Sequence, residues 1–131
     1  MSAIMFARAG AIAYVLWGLL HLKAAQMQYA MAQSLDAGAI QGRLLQNAWN
    51  LLFFAAFAVV IAVAMNWKNS KLGYKLNLYV ISAADIGFIV FVLMPGYVPM
   101  MPGALGPILW IIALVLSTAG VMQAGRETSI R

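Results

Sequence analysis

The chain has 131 residues, of which 65% are apolar and only 8% are charged. A soluble domain usually carries about 25% charged residues, so this composition excludes a water-covered surface and indicates a protein whose solvent is lipid. The absence of cysteine excludes disulfides, thiolate metal sites and cysteine nucleophiles. The net charge of +5 comes from side chains at the ends of apolar segments, a pattern typical of membrane topology and not of nucleic-acid binding.

Four apolar segments follow one another along the chain, at about residues 4–26, 44–67, 74–94 and 107–123. Each approaches the roughly 20 apolar residues that cross a bilayer. The sequence therefore predicts an all-α fold, an integral membrane four-helix bundle of up-down-up-down topology. Residues 1–131 are expected to form a single transmembrane domain.

The first predicted helix carries a polar face and is longer than a bilayer requires. His21 shares a face with Trp17 and Gln28, at spacings of four and seven residues. Good helix formers continue from Leu22 to Leu35 without glycine or proline. We expect this helix either to tilt and project from the membrane or to bend into a second, interfacial piece.

The second and third predicted helices supply the other polar groups within the membrane. Asn47 and Asn50 lie three residues apart near the start of the second segment, with Trp49 between them. Ser82 and Asp85 lie three residues apart in the third segment. A charge near the middle of a span costs roughly 2.5–3.5 kcal/mol on insertion scales. Asp85 therefore requires a partner, a proton or a wet cavity.

The connection between the third and fourth segments, residues 94–107, contains all four prolines and no charged side chain. Proline fixes φ and removes an N–H donor, which predicts a stiff, non-helical segment. Its apolar side chains are poorly suited to bulk water. We expect them to lie on lipid headgroups, to cap the bundle or to meet another protein.

The fourth predicted helix has a face of small residues that favours close helix packing. The face lies either inside this bundle or in a homo-oligomer. It consists of Ala113, Ser117, Gly120 and Ala124.

Lysine and arginine lie mainly on one side of the predicted bundle. That side carries Arg8, Lys68, Lys71, Lys75, Arg126 and Arg131, whereas the other carries Lys23 and Arg43. The positive-inside rule then predicts that both termini are cytoplasmic. We expect the membrane to be a bacterial inner membrane.

The polar side chains within the first three predicted helices can be compared by their depth in the membrane. At a rise of 1.5 Å per residue, they fall in the same half of the bundle. They predict a pocket for a lipophilic small molecule of quinone, isoprenoid or sterol type that enters from the bilayer. Asp85 and His21 are the candidate acid–base residues, because each can store or transfer a proton. One His, three acids and no Cys predict no metal site, and no cofactor is predicted. The candidate ligand-binding residues are Asn47, Asn50, Gln28, Ser82, Trp17 and Trp49.

Other interpretations stay open at this point. Asp85 can simply pair with His21, Lys23 or an Asn and lock the helices together. A third role is an ion or proton path, as in a channel or transporter. For the whole chain, the neutral proline-rich loop and the small-residue face favour a non-catalytic subunit of a larger redox or photosynthetic membrane complex. The expected partners are membrane lipids and a lipophilic molecule, a second copy or such a complex.

The opening of the first helix resembles that of DoxX-like small membrane proteins. The residues that carry this resemblance are Arg8, Gly10 and the run Trp17-Gly18-Leu19-Leu20-His21-Leu22. Four spans in about 130 residues are also similar. The resemblance implies a membrane component of a redox or stress system, or a four-helix fold that binds sterol-like lipids. It also suggests a functional role for His21.

Overall fold

The computed structural model describes residues 2–129. These residues contain no strand, and the predicted all-α fold is confirmed. A 3-10 turn at Asn66–Lys68 leads into the third long helix, and a π-helical turn at Ile89–Leu93 extends that helix. The helices are α1 (Ala3–Gln33), α2 (Ala39–Ala64), α3 (Lys71–Phe88), α4 (Met100–Gly103) and α5 (Leu105–Ser129).

Four helical stretches of the described residues are long and apolar enough to cross a membrane. Their outer faces expose large apolar side chains, among them Val60, Phe91 and Val115. A bilayer solvates such faces, whereas water does not. The chain is therefore an integral membrane protein built as a four-helix bundle. The stretches are Ala3–Gln33, Ala39–Lys68, Lys71–Leu93 and Leu105–Ser129.

Helix α1 is the most deeply packed element of the bundle. It lies along both α2 and α5, and α3 also packs against both of these helices. Helices α1 and α3 therefore occupy opposite corners, and a contact between them must cross the centre of the bundle. The largest fully buried side chains, Trp17 and Tyr14 of α1 and Ile81 of α3, fill this centre.

The seam between α1 and α5 is made of small residues. A Cβ added at Gly120 would lie 3.0 Å from the backbone N of Ala7, and one added at Gly10 would overlap Ser117. Ala113, Ser117 and Gly120 are buried on the facing side of α5. Without a hydrophobic driving force in lipid, such close backbone approach holds helices together through van der Waals contact. Of the two locations that the sequence left open, the structure shows these three residues of the small-residue face inside the bundle.

The end of the bundle that carries the N-terminus and the α2–α3 turn is tied together by side chains. The Arg8 guanidinium lies 5.2 Å from the ring centroid of Trp67, a cation–π contact between α1 and the turn. Asn69 adopts a left-handed backbone conformation, and its Nδ2 donates to Gly120 O at 3.0 Å. Ser70 caps α3 by accepting a hydrogen bond from Gly73 N. We call this end of the molecule the basic end.

At the opposite end, the α1–α2 hairpin extends past the other helices. Helix α5 begins beside His21, because a Cβ at Gly106 would lie 3.0 Å from His21 Cε1. Helix α1 continues from there to Gln33, about 18 Å further at 1.5 Å per residue. Of the two expected outcomes, the structure shows continuation as one uninterrupted helix. Its end is joined to α2 where Gln41 Nε2 donates to Ala32 O at 3.2 Å.

The proline-rich connection leaves its large side chains facing outward. Met94, Tyr97, Met100 and Met101 are all exposed, so these side chains do not cap the bundle. On its inner side the connection packs closely, because the backbone of Gly103 contacts the side chains of Val98 and Leu93. A location on lipid headgroups and a contact with another protein both stay open.

Candidate functional site

Asp85 lies at the centre of the bundle and accepts a hydrogen bond from a tryptophan. It is 1% exposed, on the inner face of α3. Its Oδ2 accepts a hydrogen bond of 2.7 Å from Trp17 Nε1, across the diagonal between α1 and α3. Its Oδ1 has no hydrogen-bond partner among the described residues. One oxygen of the carboxyl group is therefore hydrogen-bonded, and the other has no hydrogen-bond partner among the described residues.

His21 stacks on the same tryptophan. The two rings lie 3.7 Å apart between centroids at an angle of 21°. His21 Nδ1 lies 2.9 Å from the carbonyl oxygen of Trp17. A carbonyl can only accept, so Nδ1 carries the hydrogen and Nε2 of the neutral ring is an acceptor. The His21 side chain is half-buried, whereas Asp85 is buried.

Gly106, in the first turn of α5, brings Asp85 and His21 to one place. A Cβ at this position would lie 3.5 Å from His21 Nε2 and 3.7 Å from Asp85 Oδ1. Both atoms therefore lie close to the backbone of Gly106, which has no side chain of its own at this point. We call Trp17, His21, Asp85 and Gly106 the central site. The central site contains two hydrogen-bond acceptors, Asp85 Oδ1 and His21 Nε2, beside the indole ring of Trp17.

The predicted amide residues lie elsewhere. Asn47 Nδ2 donates to Gln28 Oε1 at 2.7 Å, and this pair joins α1 to α2 in the projecting hairpin. Asn50 is exposed, and Trp49 is 66% exposed. Trp49 was predicted as a ligand-binding residue, but its side chain points away from the interior, because small residues such as Ala48 and Ala55 occupy the inner face of α2.

Ser82 has a separate partner. Its Oγ accepts a hydrogen bond of 2.9 Å from Trp110 Nε1 of α5, at a half-buried position. Asp85 and Ser82, three residues apart on α3, therefore each accept an indole N–H, from α1 and α5 respectively. Lys23, one of the expected partners of Asp85, instead donates to the exposed Gln26 at 3.1 Å.

Sequence reasoning missed the polar role of tryptophan in this bundle. Trp17 was predicted as a ligand-binding residue, but its indole N–H is instead the hydrogen-bond partner of Asp85. An available signal is chemical: a buried indole carries one N–H that requires an acceptor, and the chain has few acceptors within its spans. Gly106 was missed because nothing in a sequence marks which glycine lies against a distant carboxyl group.

Within residues 2–129, no three His, Asp or Glu side chains lie close enough together to hold a metal ion. Comparison of the chain with family models, with curated proteins and with solved structures finds no match. The class of this protein is therefore defined by its own fold and composition: an integral membrane four-helix bundle with a buried carboxyl group at its centre.

Proposed function

We propose that this protein binds a lipophilic molecule with a polar hydroxyl end, of quinol, isoprenoid or sterol type, at the central site. The observation that carries the proposal is the pair of available acceptors beside Gly106. Asp85 Oδ1 has no partner among the described residues, and His21 Nε2 lies beside the same glycine. A buried carboxyl oxygen without a partner is costly, and a ligand hydroxyl would offset that cost.

The chemistry of the two acceptors favours a ligand that donates hydrogen bonds. A hydroxyl group can donate to Asp85 Oδ1 or to His21 Nε2. If the hydroxyl proton passes to Nε2, the resulting imidazolium lies stacked on Trp17, where the face of the indole stabilises a cation. Asp85 and His21 would then act as the acid–base pair that accepts and returns the proton of the ligand hydroxyl.

Two further features support the proposal. His21 is half-buried and not fully enclosed by the bundle, which suits a molecule that is dissolved in the bilayer. The resemblance of the first helix to DoxX-like proteins implies redox or sterol-related lipids, and it includes both Trp17 and His21. We further propose that the membrane is a bacterial inner membrane and that both termini are cytoplasmic; the concentration of Lys and Arg at the basic end supports this orientation.

Native mass spectrometry of the protein purified in a mild detergent tests this proposal, together with solvent extraction of any retained lipid. The variants are Asp85→Asn, which can still accept from Trp17, and His21→Phe, which retains an aromatic ring to stack on Trp17. Tyr79→Phe is the control, because Tyr79 is 69% exposed on α3. We expect wild type and control to retain the same hydroxyl-bearing lipophile and both site variants to lose it. Equal lipid content in all four proteins would refute the proposal.

A second candidate function is that of a non-catalytic subunit of a larger membrane complex. The observation that favours it is the projecting α1–α2 hairpin, which exposes Met27, Met31 and Ile40 at more than half of their surface. Blue-native electrophoresis of membranes solubilised in digitonin tests this role. A discrete band far above the mass of the chain, which collapses in Met31→Glu but not in Tyr79→Phe, would favour the subunit over the binding protein.

A further inference from the structure

Three exposed lysines lie close together at the basic end, where α3 begins. Lys68 belongs to the 3-10 turn, and Lys71 and Lys75 belong to the first two turns of α3. Lys71 and Lys75 are four residues apart and therefore lie on the same side of the helix. Lys68 precedes Lys71 by three residues, so their Cα atoms are at most about 11 Å apart. We call these three side chains the lysine patch.

The lysine patch has no anionic partner in the described part of the chain. None of its side chains makes a hydrogen bond or an ion pair with residues 2–129. The chain has three acids. Asp85 is buried at the centre of the bundle, and Asp36 follows α1 at the opposite end. Only Glu127 of α5 is left to offset the charge of the basic end, to which Arg8 and Arg126 also contribute.

The basic side chains at the opposite end of the bundle differ in this respect. Lys23 Nζ donates to Gln26 Oε1 at 3.1 Å, and Arg43 Nη1 donates to Gln46 Oε1 at 2.9 Å. A neutral amide oxygen therefore accepts from each of these two cations. The lysine patch instead presents three ammonium groups, each with three donors, to an anion from outside the chain.

The outer face of α3 continues from the lysine patch as an apolar surface. At 3.6 residues per turn, Lys71, Lys75, Tyr79 and Ile86 fall within about 80° of the helix circumference. Tyr79 is 69% exposed and Ile86 is 52% exposed. Ile86 lies about 17 Å along the helix from Lys75, which matches one leaflet of a hydrocarbon core about 30 Å thick. Cations at headgroup level are thus followed by an apolar face of leaflet length.

We propose that the lysine patch binds the headgroup of an anionic phospholipid, of phosphatidylglycerol type, whose acyl chain lies along Tyr79 and Ile86. The charge of the patch is complementary to a headgroup with net negative charge, whereas the choline group of a zwitterionic lipid would meet the lysines with a charge of the same sign. A soluble phosphate would contact the lysines alone, but a phospholipid also covers the apolar face below them. Each lysine near an anionic headgroup contributes about fivefold to the affinity.

This inference concerns the outer surface of the bundle and does not depend on the central site. Lipid titration of the delipidated full chain in detergent, followed by native mass spectrometry, tests it. Phosphatidylglycerol and phosphatidylcholine with identical acyl chains are compared by the dissociation constant of the first lipid bound. The test variant is Lys71→Gln/Lys75→Gln. The control is Lys23→Gln/Arg43→Gln, which removes two positive charges at the opposite end. All four side chains are exposed, so both variants should fold.

We expect the wild-type protein to bind phosphatidylglycerol at least about tenfold more tightly than phosphatidylcholine. The test variant should lose most of this preference, and the control should keep it. Equal affinity for the two lipids in the wild type would overturn the proposal. A full preference in the test variant, or the same loss in the control, would overturn it as well. Millimolar inorganic phosphate should not displace the lipid, and displacement would assign the lysine patch to a soluble anion instead.

Discussion

Trp17 and Asp85 join opposite corners of the bundle through an indole-to-carboxylate hydrogen bond of 2.7 Å. Both side chains are buried, at 0% and 1% exposure. The bond fixes the register of α1 against α3, which otherwise meet mainly through α2 and α5. It also fixes His21, whose ring stacks on the indole of Trp17. One hydrogen bond thus positions both candidate acid–base residues.

Replacing Trp17 by Phe removes the N–H donor and keeps an aromatic ring. Asp85 Oδ2 then has no partner, and a buried acceptor left without one costs about 1–3 kcal/mol. Hydrogen bonds between membrane helices lie at the lower end, at up to about 1.7 kcal/mol, so we expect a loss of about 1–2 kcal/mol. Reversible unfolding in mixed detergent micelles measures it. Trp49→Phe, at a 66% exposed position, should change the free energy of unfolding little, and an equal loss in both variants would contradict the assigned role.

Two glycines give a matched test of the α1–α5 seam. A Cβ at Gly120 would lie 3.0 Å from Ala7 N and 3.1 Å from Ala3 O, both backbone atoms, whereas one at Gly87 would have no neighbour within 4 Å. Gly120→Ala should therefore destabilise the bundle by about 1–3 kcal/mol through overpacking. Gly87→Ala should be neutral or stabilising by up to about 1 kcal/mol, because alanine is the better helix former. Equal melting temperatures for the two variants would contradict the close approach.

The class of the protein could be predicted from the sequence because hydropathy is a local property. Four apolar runs are visible without knowledge of any contact, and a bilayer allows few folds other than a helical bundle. The small-residue face of α5 was also visible, since Ala113, Ser117 and Gly120 share one side of a helix whatever they pack against.

The central site was only partly predictable, because it depends on register between helices far apart in the chain. Asp85 stood out as a lone carboxylate, but its partner is 68 positions away. Asn50 and Trp49 were placed in the pocket by depth alone, and depth does not determine which way a side chain points. Outside the central site, the fully buried Asn77 of α3 was overlooked, because one amide in an apolar helix resembles an ordinary packing residue until its burial is known.

The orientation of the chain stays a prediction from its charges. Arg8, Lys68 and Arg126 belong to the basic end, so cytoplasmic termini are expected under the positive-inside rule. The chain contains no cysteine, so a single Ser129→Cys substitution can be labelled without background. A membrane-impermeant maleimide should leave this cysteine unlabelled in intact cells and label it after lysis. Rapid labelling from outside the cells would contradict the assigned orientation.

The proline-rich connection should be protected by lipid and not by its own bundle. Tyr97 is 78% exposed and Met100 is 63% exposed, and neither has a charged residue nearby in sequence. A Tyr97→Cys variant should react quickly with a water-soluble maleimide in a short-chain detergent and at least several-fold more slowly in lipid nanodiscs. Ser34→Cys, in the polar turn after α1, should react quickly in both. Equal rates for Tyr97→Cys in detergent and nanodiscs would place the connection in bulk water.

Substitutions of Asp85 separate a structural role from a functional one. Asp85→Asn keeps an oxygen that can accept from Trp17 Nε1, so the fold should be preserved, with a stability change below about 1 kcal/mol. Asp85→Leu removes the acceptor and leaves the buried N–H of Trp17 without a partner, which should cost about 1–3 kcal/mol. The cost is limited because the partner of Asp85 is a neutral indole, so no unpaired charge is left behind. A broken buried ion pair would leave one, and the loss would then be about 3–5 kcal/mol.

Chemical unfolding of both variants, measured beside their content of bound lipophile, distinguishes the structural role from the functional one. Full stability with loss of the lipophile in Asp85→Asn would establish that the acid serves binding, whereas unchanged lipophile content with strongly lowered stability would leave Asp85 as a packing residue and favour the subunit role.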